Sequence, residues 1–516
     1  MANGIVQVAP DGTGKKVDTS EITVGANTVE RQRVVLADNA TDTGVAAVSA
    51  TLGLSVNVTN PTLAVTQSGA FTVQPVTFAS AQPVTQSGNF TVQPVTFASA
   101  QPVTQSGKFS IGMADSASVD AFSRLRVANT TTIFDSSSQY GNKTIDWDGL
   151  AVGTGSISNV LASSSVRLST GGTASGAKYT RQSRVYHRYQ PGKSLLSLHT
   201  FVMGAATANL RRRIGYYDAN DGIFLEQLST GPSIVLRSST SGSVVDTAVL
   251  QANWNVDKFD GTGVSGITLD LTKTQILVID LQWLGVGRVR VGFDIAGTIM
   301  YAHQFLNANT TFTTVYMKTA SLPCTQEIEN TGVTAGTNTF DAICNSVISE
   351  GGFDQDRGYD FGASNGTTTI AVTTRRPVLT IRAATTGPNS VRNTGQIRPS
   401  HIHIRAITNS VFFEVVRNAT TLTGAAYTAR DATYSIAEFD VAATAISGGQ
   451  LVDQGFADPM STGGGTSGYT TFGDLGHLLP LVYTGLSNTQ ETLTIVCTSM
   501  TGTANISVSF SWAEFY

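Results

Sequence analysis

The sequence predicts an all-β fold: a short repetitive β-stem followed by two β-sandwich, jelly-roll-like domains. Three observations predict it. Only 13% of the 516 residues are charged, where about 25% is usual, and almost no stretch carries Leu, Glu, Lys and Ala at helical spacing. Gly contributes 51 residues. With Asn and Asp it supplies turns between segments rich in Thr and Val, whose branched Cβ fits a pleated surface. Finally, a 19-residue unit repeats near the N-terminus, and short alternating segments follow it.

Residues 1–64 alternate short polar and apolar stretches with many Gly, Asn and Thr. Val34-Val35-Leu36 and Leu54-Ser55-Val56-Asn57-Val58 read as strands, and the segment is taken as an N-terminal anchor. The repeat occupies 65–114. Its first copy runs from Val65 to Pro83 and a near copy from Val84 to Pro102. A third begins at Val103 and diverges at Ser110, after differences confined to Ala70, Asn89 and Lys108. Each unit reads as two short strands, Phe-Thr-Val-Gln and Val-Thr-Phe-Ala, punctuated by Ser-Gly and Gln-Pro. Alternation leaves one apolar face per strand. Such a unit is too small to bury that face alone and needs neighbours. Three chains wrapped together would supply them, with Phe71, Phe90 and Phe109 packing the stem interior. The reading adopted is a homotrimeric β-stem. A flexible linker punctuated by Pro and Gly is the other reading, and the prolines suit both.

Residues 115–360 read as a central β-sandwich. Gln275–Leu284 is apolar and strand-length, Gly285-Val286-Gly287 turns it, and Arg288–Ile295 alternates Arg on one face with Val on the other. Ala296-Gly297 turns again into Thr298–His303. A three-strand meander of this spacing marks a sandwich.

The junction Asp120-Ala121-Phe122-Ser123-Arg124-Leu125-Arg126-Val127, followed by Phe134-Asp135-Ser136 and preceded by Val-Thr-Gln-Ser-Gly repeats, resembles structural proteins of tailed bacteriophages. The similarity continues through Tyr186-His187-Arg188-Tyr189-Gln190-Pro191-Gly192-Lys193-Ser194, Arg213–Asp218, Gln275–Arg290 and Ser349–Phe353, and so covers roughly 115–355. Ser123 stands where that family usually has Gly, which bears on one turn. The resemblance implies a virion protein, with Asp120, Phe122, Arg124 and Arg126 forming the domain junction.

Residues 361–516 read as a second β-sandwich, with strands at Thr367–Val372, Pro377–Arg382, Val411–Val416, Leu493–Cys497 and Ile506–Tyr516. The last strand carries aromatics to the final residue, as a terminus tied into a sheet does. Gly463–Tyr469 reads as a long exposed loop, and loops on a rigid scaffold commonly carry recognition.

Candidate chemistry is sparse. Gly285-Val286-Gly287 lacks the third glycine and following helix of a nucleotide loop. Asp218-Ala219-Asn220-Asp221-Gly222 is too short for a calcium loop and reads as a turn. Asp146/Asp148 and Asp354/Asp356 would set carboxylates ~6–7 Å apart on a strand, as glycosidases require, but acidic pairs in loops are common. His401 and His403 share a strand face, so three copies could bring imidazoles to an axis for a metal. Beside Arg398, Pro399 and Arg405 they read as a surface strand. Arg211-Arg212-Arg213 reads as a polar strand face with one Arg paired inside. No catalytic residue and no cofactor is expected, hence no enzyme.

The net charge of −4 and pI near 5.9 give no basic footprint for nucleic acid. No apolar run reaches the ~18–20 residues that span a membrane. Cys324, Cys344 and Cys497 fit no zinc or redox spacing and are expected as free, buried thiols. The functional expectation is a homotrimeric fibre or appendage of a tailed-phage virion, assembled in the host cytoplasm. It would be anchored by its N-terminus to other virion proteins, with host-surface attachment, including bacterial surface glycan, as its work. A head fibre or capsid decoration protein, and a glycan-binding or glycan-degrading tailspike, are the alternatives.

Overall fold

The computed structural model describes residues 19–24, 26–32, 48–49, 53–54, 119–126, 129–310, 312–354, 358–459, 470–472 and 480–516. The stem positions Phe71, Phe90 and Phe109, the expected strand at 34–36 and the glycine-rich loop at 463–469 lie outside the described residues. The chain divides into two compact units, 1–104 and 105–516. In the first, Thr19–Val24 pairs antiparallel with Asn27–Gln32, and Val48–Ser49 with Gly53–Leu54. The second holds two all-β sandwiches. Among the described residues there is no α-helix, only three short 3₁₀ turns.

The central sandwich stacks an eight-stranded sheet on a seven-stranded one. The first sheet runs in the order Thr298–Phe305, Val289–Ile295, Gln275–Leu281, Ser194–Val202, Thr339–Glu350, Ser165–Ser169 and Ser156–Val160, with Thr131–Ser137 also paired to Thr339–Glu350. The second runs Val245–Leu250, Gly231–Ser238, Gly222–Leu228, Leu210–Tyr217, Cys324–Asn330, Lys178–Ser183 and Trp147–Val152. The meander expected over 275–303 is present as three antiparallel strands. Period-2 alternation turns Val289, Val291 and Phe293 inward, where all three are fully buried with Leu277, Ile279 and Phe201. The first of these strands ends at Leu281, not Leu284. Leu284 and Gly285 both take positive φ, 39° and 81°, a left-handed conformation that no strand continues.

The C-terminal sandwich pairs a sheet of five strands with one of six. Ala504–Phe515 and Gln396–Ala406 form the centre of the first; Arg376–Ala383, Thr492–Ser499 and Val411–Arg417 form the centre of the second. Ile402, Ile404, Phe413, Ile495 and Phe510 fill the space between. Its first strand is Tyr359–Ser364, which pairs with Ala504–Phe515, so Tyr359 and Asp360 belong here and not with the central domain. The strand expected at Thr367–Val372 shortens to Ile370–Val372. Gly366 at φ +68° and a 2.6 Å bond from the Asn365 side chain to the Thr368 carbonyl make the preceding residues a turn. Cys324 and Cys497 are buried as expected, but Cys344 is exposed.

Candidate functional site

Two buried-charge joints dominate the described residues. The first is the junction segment Val119–Arg126, laid against the first sheet of the central sandwich. Asp120 organises it. Its Oδ1 accepts the Phe122 and Arg124 backbone N–H groups, both at 2.9 Å, and its Oδ2 accepts Arg124 Nε at 2.8 Å. The Arg124 guanidinium also covers the Phe122 ring, 4.6 Å from its centroid. Arg126 reaches further: its guanidinium pairs with the fully buried Asp280 and, at 3.2 Å, with Glu350. Asp280 is the hub. It also accepts Arg290 at 2.6 Å, the Tyr301 hydroxyl at 2.8 Å and the Ser194 hydroxyl at 3.1 Å. A buried charge needs this many partners to offset its desolvation. Burial, and then the Asp280 charge, push Glu350 up to about 7, against the pull of Arg126. One oxygen of Glu350 is buried without a hydrogen-bond partner, beside a cavity of about 140 Å³ that Asp120, Arg124 and Arg126 also line. The four junction residues are thus brought together as one clamp.

The second joint holds the two sandwiches together. Glu491, 1% exposed at its side chain, accepts Arg417 Nη2 at 2.6 Å and the Val482 N–H at 3.2 Å. Arg184 of the central sandwich approaches its other oxygen at 3.4 Å. Nearby, the buried Tyr186 hydroxyl accepts Arg392 at 2.8 Å and donates to Asp218 at 3.1 Å, while the Tyr186 carbonyl accepts Gln396 at 2.7 Å. Ser487 donates its N–H to Asp148 at 3.0 Å. Gly485 leaves room for the Arg392 guanidinium, since a Cβ there would fall 1.1 Å from it and push it aside. A cavity of about 180 Å³ opens between Phe134, Phe353, Arg184 and Glu491.

Between the sheets of the central sandwich the core turns polar. Arg181 donates to Gln326 at 3.2 Å, Gln326 to the Asn345 side-chain oxygen at 3.3 Å, and His199 Nδ1 to the same oxygen at 2.9 Å. His199 Nε2 then accepts the Ser197 hydroxyl at 2.9 Å. Burial drives His199 down to about 4 and His187 down to about 3, the latter helped by His199. Both imidazoles are therefore neutral at physiological pH.

The remaining sequence candidates resolve into structural roles or stay apart. Asp218 Oδ1 accepts the Asn220 and Asp221 N–H groups and so holds the turn, while Asp221 accepts the Ser239 and Lys318 N–H groups and ties the turn to its neighbours. Asp148 is spent on Gly149 and Ser487, and Asp146 precedes the strand Trp147–Val152 that holds Asp148. The Asp354 backbone N–H and carbonyl both bond the Gln190 side-chain amide, while 356 lies outside the described residues. His401 and His403 stand on the outer face of their strand, rings 6.4 Å apart and near parallel. Among the described residues no group of three or more His, Cys, Asp or Glu side chains is placed to hold a metal. Arg211 and Arg213 pair outward with Glu329 and Glu226, whereas Arg212 turns inward to the Ala205 and Thr339 carbonyls and Gln227. Sequence reasoning missed Asp280, Glu350 and Glu491. Asp280 carries the one available signal, an acid inside the apolar run Gln275–Leu281.

No family model and no curated protein matches the chain. Solved structures it resembles include the conserved carbohydrate esterase of Shiga toxin-encoding bacteriophage phi24B, at 10% identity over 43% of this chain and 100% of that one, TM-score 0.27. A Bacteroides ovatus GH16 protein with a G4G4G3G product aligns at 9% identity over 42% and 99%, TM-score 0.29. Peanut lectin aligns at 11% identity over 43% and 98%, TM-score 0.26. Alignments at this level assign no activity to this chain.

Proposed function

We propose that the chain is a structural protein of a tailed-phage virion, a homotrimeric fibre or appendage anchored through its N-terminal segment. Its β-sandwiches are presented outward for host-surface attachment, and it performs no catalysis. The observation that carries this reading is the junction clamp. In the stretch that bears the phage resemblance, Asp120 to Arg126, Asp120 holds Arg124 and Arg126 pairs with Asp280 and Glu350. The Tyr186–Ser194 stretch of the same resemblance ties the second joint, through Tyr186 to Arg392 and Gln396. Polar groups spent on holding domains in fixed relation suit a protein whose work is mechanical. Native mass measurement of the purified chain tests the assembly: a trimer is expected, and a monomer at micromolar concentration overturns it.

A further inference from the structure

At one end of the C-terminal sandwich three tyrosines meet on the surface. Tyr359 opens the first strand and lies opposite Glu514. Tyr516 ends the chain, and its ring stacks on Tyr359 with centroids 5.4 Å apart and planes 27° from parallel. The Tyr516 hydroxyl donates to the Tyr434 carbonyl at 2.5 Å. Tyr434 itself sits on a tight turn held by Asp431, whose Oδ1 accepts the Thr433 and Tyr434 N–H groups at 2.8 and 3.0 Å. Despite these ties the three residues remain 60%, 65% and 51% exposed for Tyr359, Tyr434 and Tyr516. Large aromatic residues left bare in a fixed arrangement mark a contact surface more often than a core.

We propose that Tyr359, Tyr434 and Tyr516 form a binding platform for a pyranose saccharide. A pyranose ring gathers C–H bonds on one face and hydroxyls around its rim. The C–H face stacks on the negative face of an aromatic ring, while phenol and carboxylate oxygens serve the rim. The platform has both: exposed phenolic rings, and the Asp431 carboxylate close enough to help raise the Tyr516 phenol, after burial, Glu514 and Tyr359. Area decides against a second copy of the chain as occupant. A tyrosine side chain offers ~200 Å², so the patch presents about 350 Å², less than half the ~800 Å² per partner that a stable protein interface needs. One or two sugar rings fit that area. Because the Tyr359 and Tyr516 rings are stacked on each other and the Tyr434 backbone is pinned beside them before binding, the ordering cost that opposes it is reduced.

This inference rests on the attachment role proposed above and names its ligand class and residues. The test is saturation-transfer NMR on the full-length chain with maltohexaose, cellohexaose and chitohexaose as probes. Transfer to ring C–H protons of at least one probe is expected. Binding should weaken by about tenfold or more in Tyr359→Ala and in Tyr434→Ala, and should persist in Tyr359→Trp, which keeps a stacking face. Tyr434 is the more exposed residue, so Tyr434→Ala should keep the parent melting temperature and serves as the folding control. Equal binding by parent and alanine variants overturns the proposal, as does the absence of transfer from all three probes. A change of oligomeric state in Tyr434→Ala, with saccharide binding unaltered, would assign the patch to protein contact and also overturn it. None of these results alters where the chain sits on a particle, which is tested separately.

Discussion

Arg184 of the central sandwich and Glu491 of the C-terminal sandwich approach to 3.4 Å across 307 positions of sequence. Glu491 is held at the same time by Arg417. A buried carboxylate shared in this way makes the two sandwiches one mechanical unit. Removing it takes the Glu491 carboxylate from Arg417, which is itself nearly buried, and breaking a buried pair costs about 3–5 kcal/mol. Glu491→Ala should therefore lower stability by about that amount and split a single thermal transition into two in calorimetry. One unsplit transition with an unchanged midpoint would contradict the joint.

Gly485 and Arg392 offer a gentler probe of the same joint. A methyl group at Gly485 displaces the Arg392 guanidinium from the Tyr186 hydroxyl, a cost of about 1.5–3 kcal/mol for one charge-assisted hydrogen bond. Gly485→Ala and Arg392→Ala remove the same contact. In denaturant titrations the double variant should be little worse than either single one; full additivity would count against a shared contact.

At the junction clamp, Asp280→Asn removes the charge that Arg126 and Arg290 share. Chain protection should fall there first. Trypsin should cut after Arg124 and Arg126 at least tenfold faster than in the parent, a factor worth about 1.4 kcal/mol of local opening. The rest of the central sandwich should keep its resistance.

Glu350 and His199 give opposite pH trends. Glu350 titrates near 7 in the folded chain, above its ordinary 4.5. Its contribution is fully present below about pH 4.5 and is lost as pH rises through 7. Glu350→Gln should therefore be more stable than the parent at pH 8, by about 1–3 kcal/mol. His199 titrates near 4, below its ordinary 6.5. Its contribution is fully present above about pH 6.5 and is lost as pH falls towards 4, at up to about 1.4 kcal/mol per pH unit. Melting temperatures from pH 8 to 4.5 in Glu350→Gln and in His199→Asn separate the two. A Glu350→Gln variant less stable at pH 8 would mean that the Arg126 pair outweighs the burial of the charge.

Much of the fold is written in local pattern. Alternation over Val289–Ile295 and Ala504–Phe515 places the inward residues correctly, because a strand's faces depend only on its own sequence. The all-β class follows for the same reason. The joints are not local. Asp280 collects Arg126 from 154 positions away and Tyr301 from 21, and no spacing rule connects them. Arg126 was legible as a junction residue through resemblance, but its partner was not. The exposure of Cys344 was hidden likewise: its strand neighbours Ala342 and Asn345 are buried while it faces out. The Tyr359 platform is assembled by pairing the first strand of its domain with the last, which a linear reading cannot anticipate.

The central claim is that this chain is a structural part of a virion appendage. Cryo-electron microscopy of purified particles decorated with an antibody fragment against the C-terminal sandwich tests it most directly. Label on projections of threefold symmetry, with the C-terminal sandwich outermost, is the predicted result. Intact particles that carry no label would contradict it.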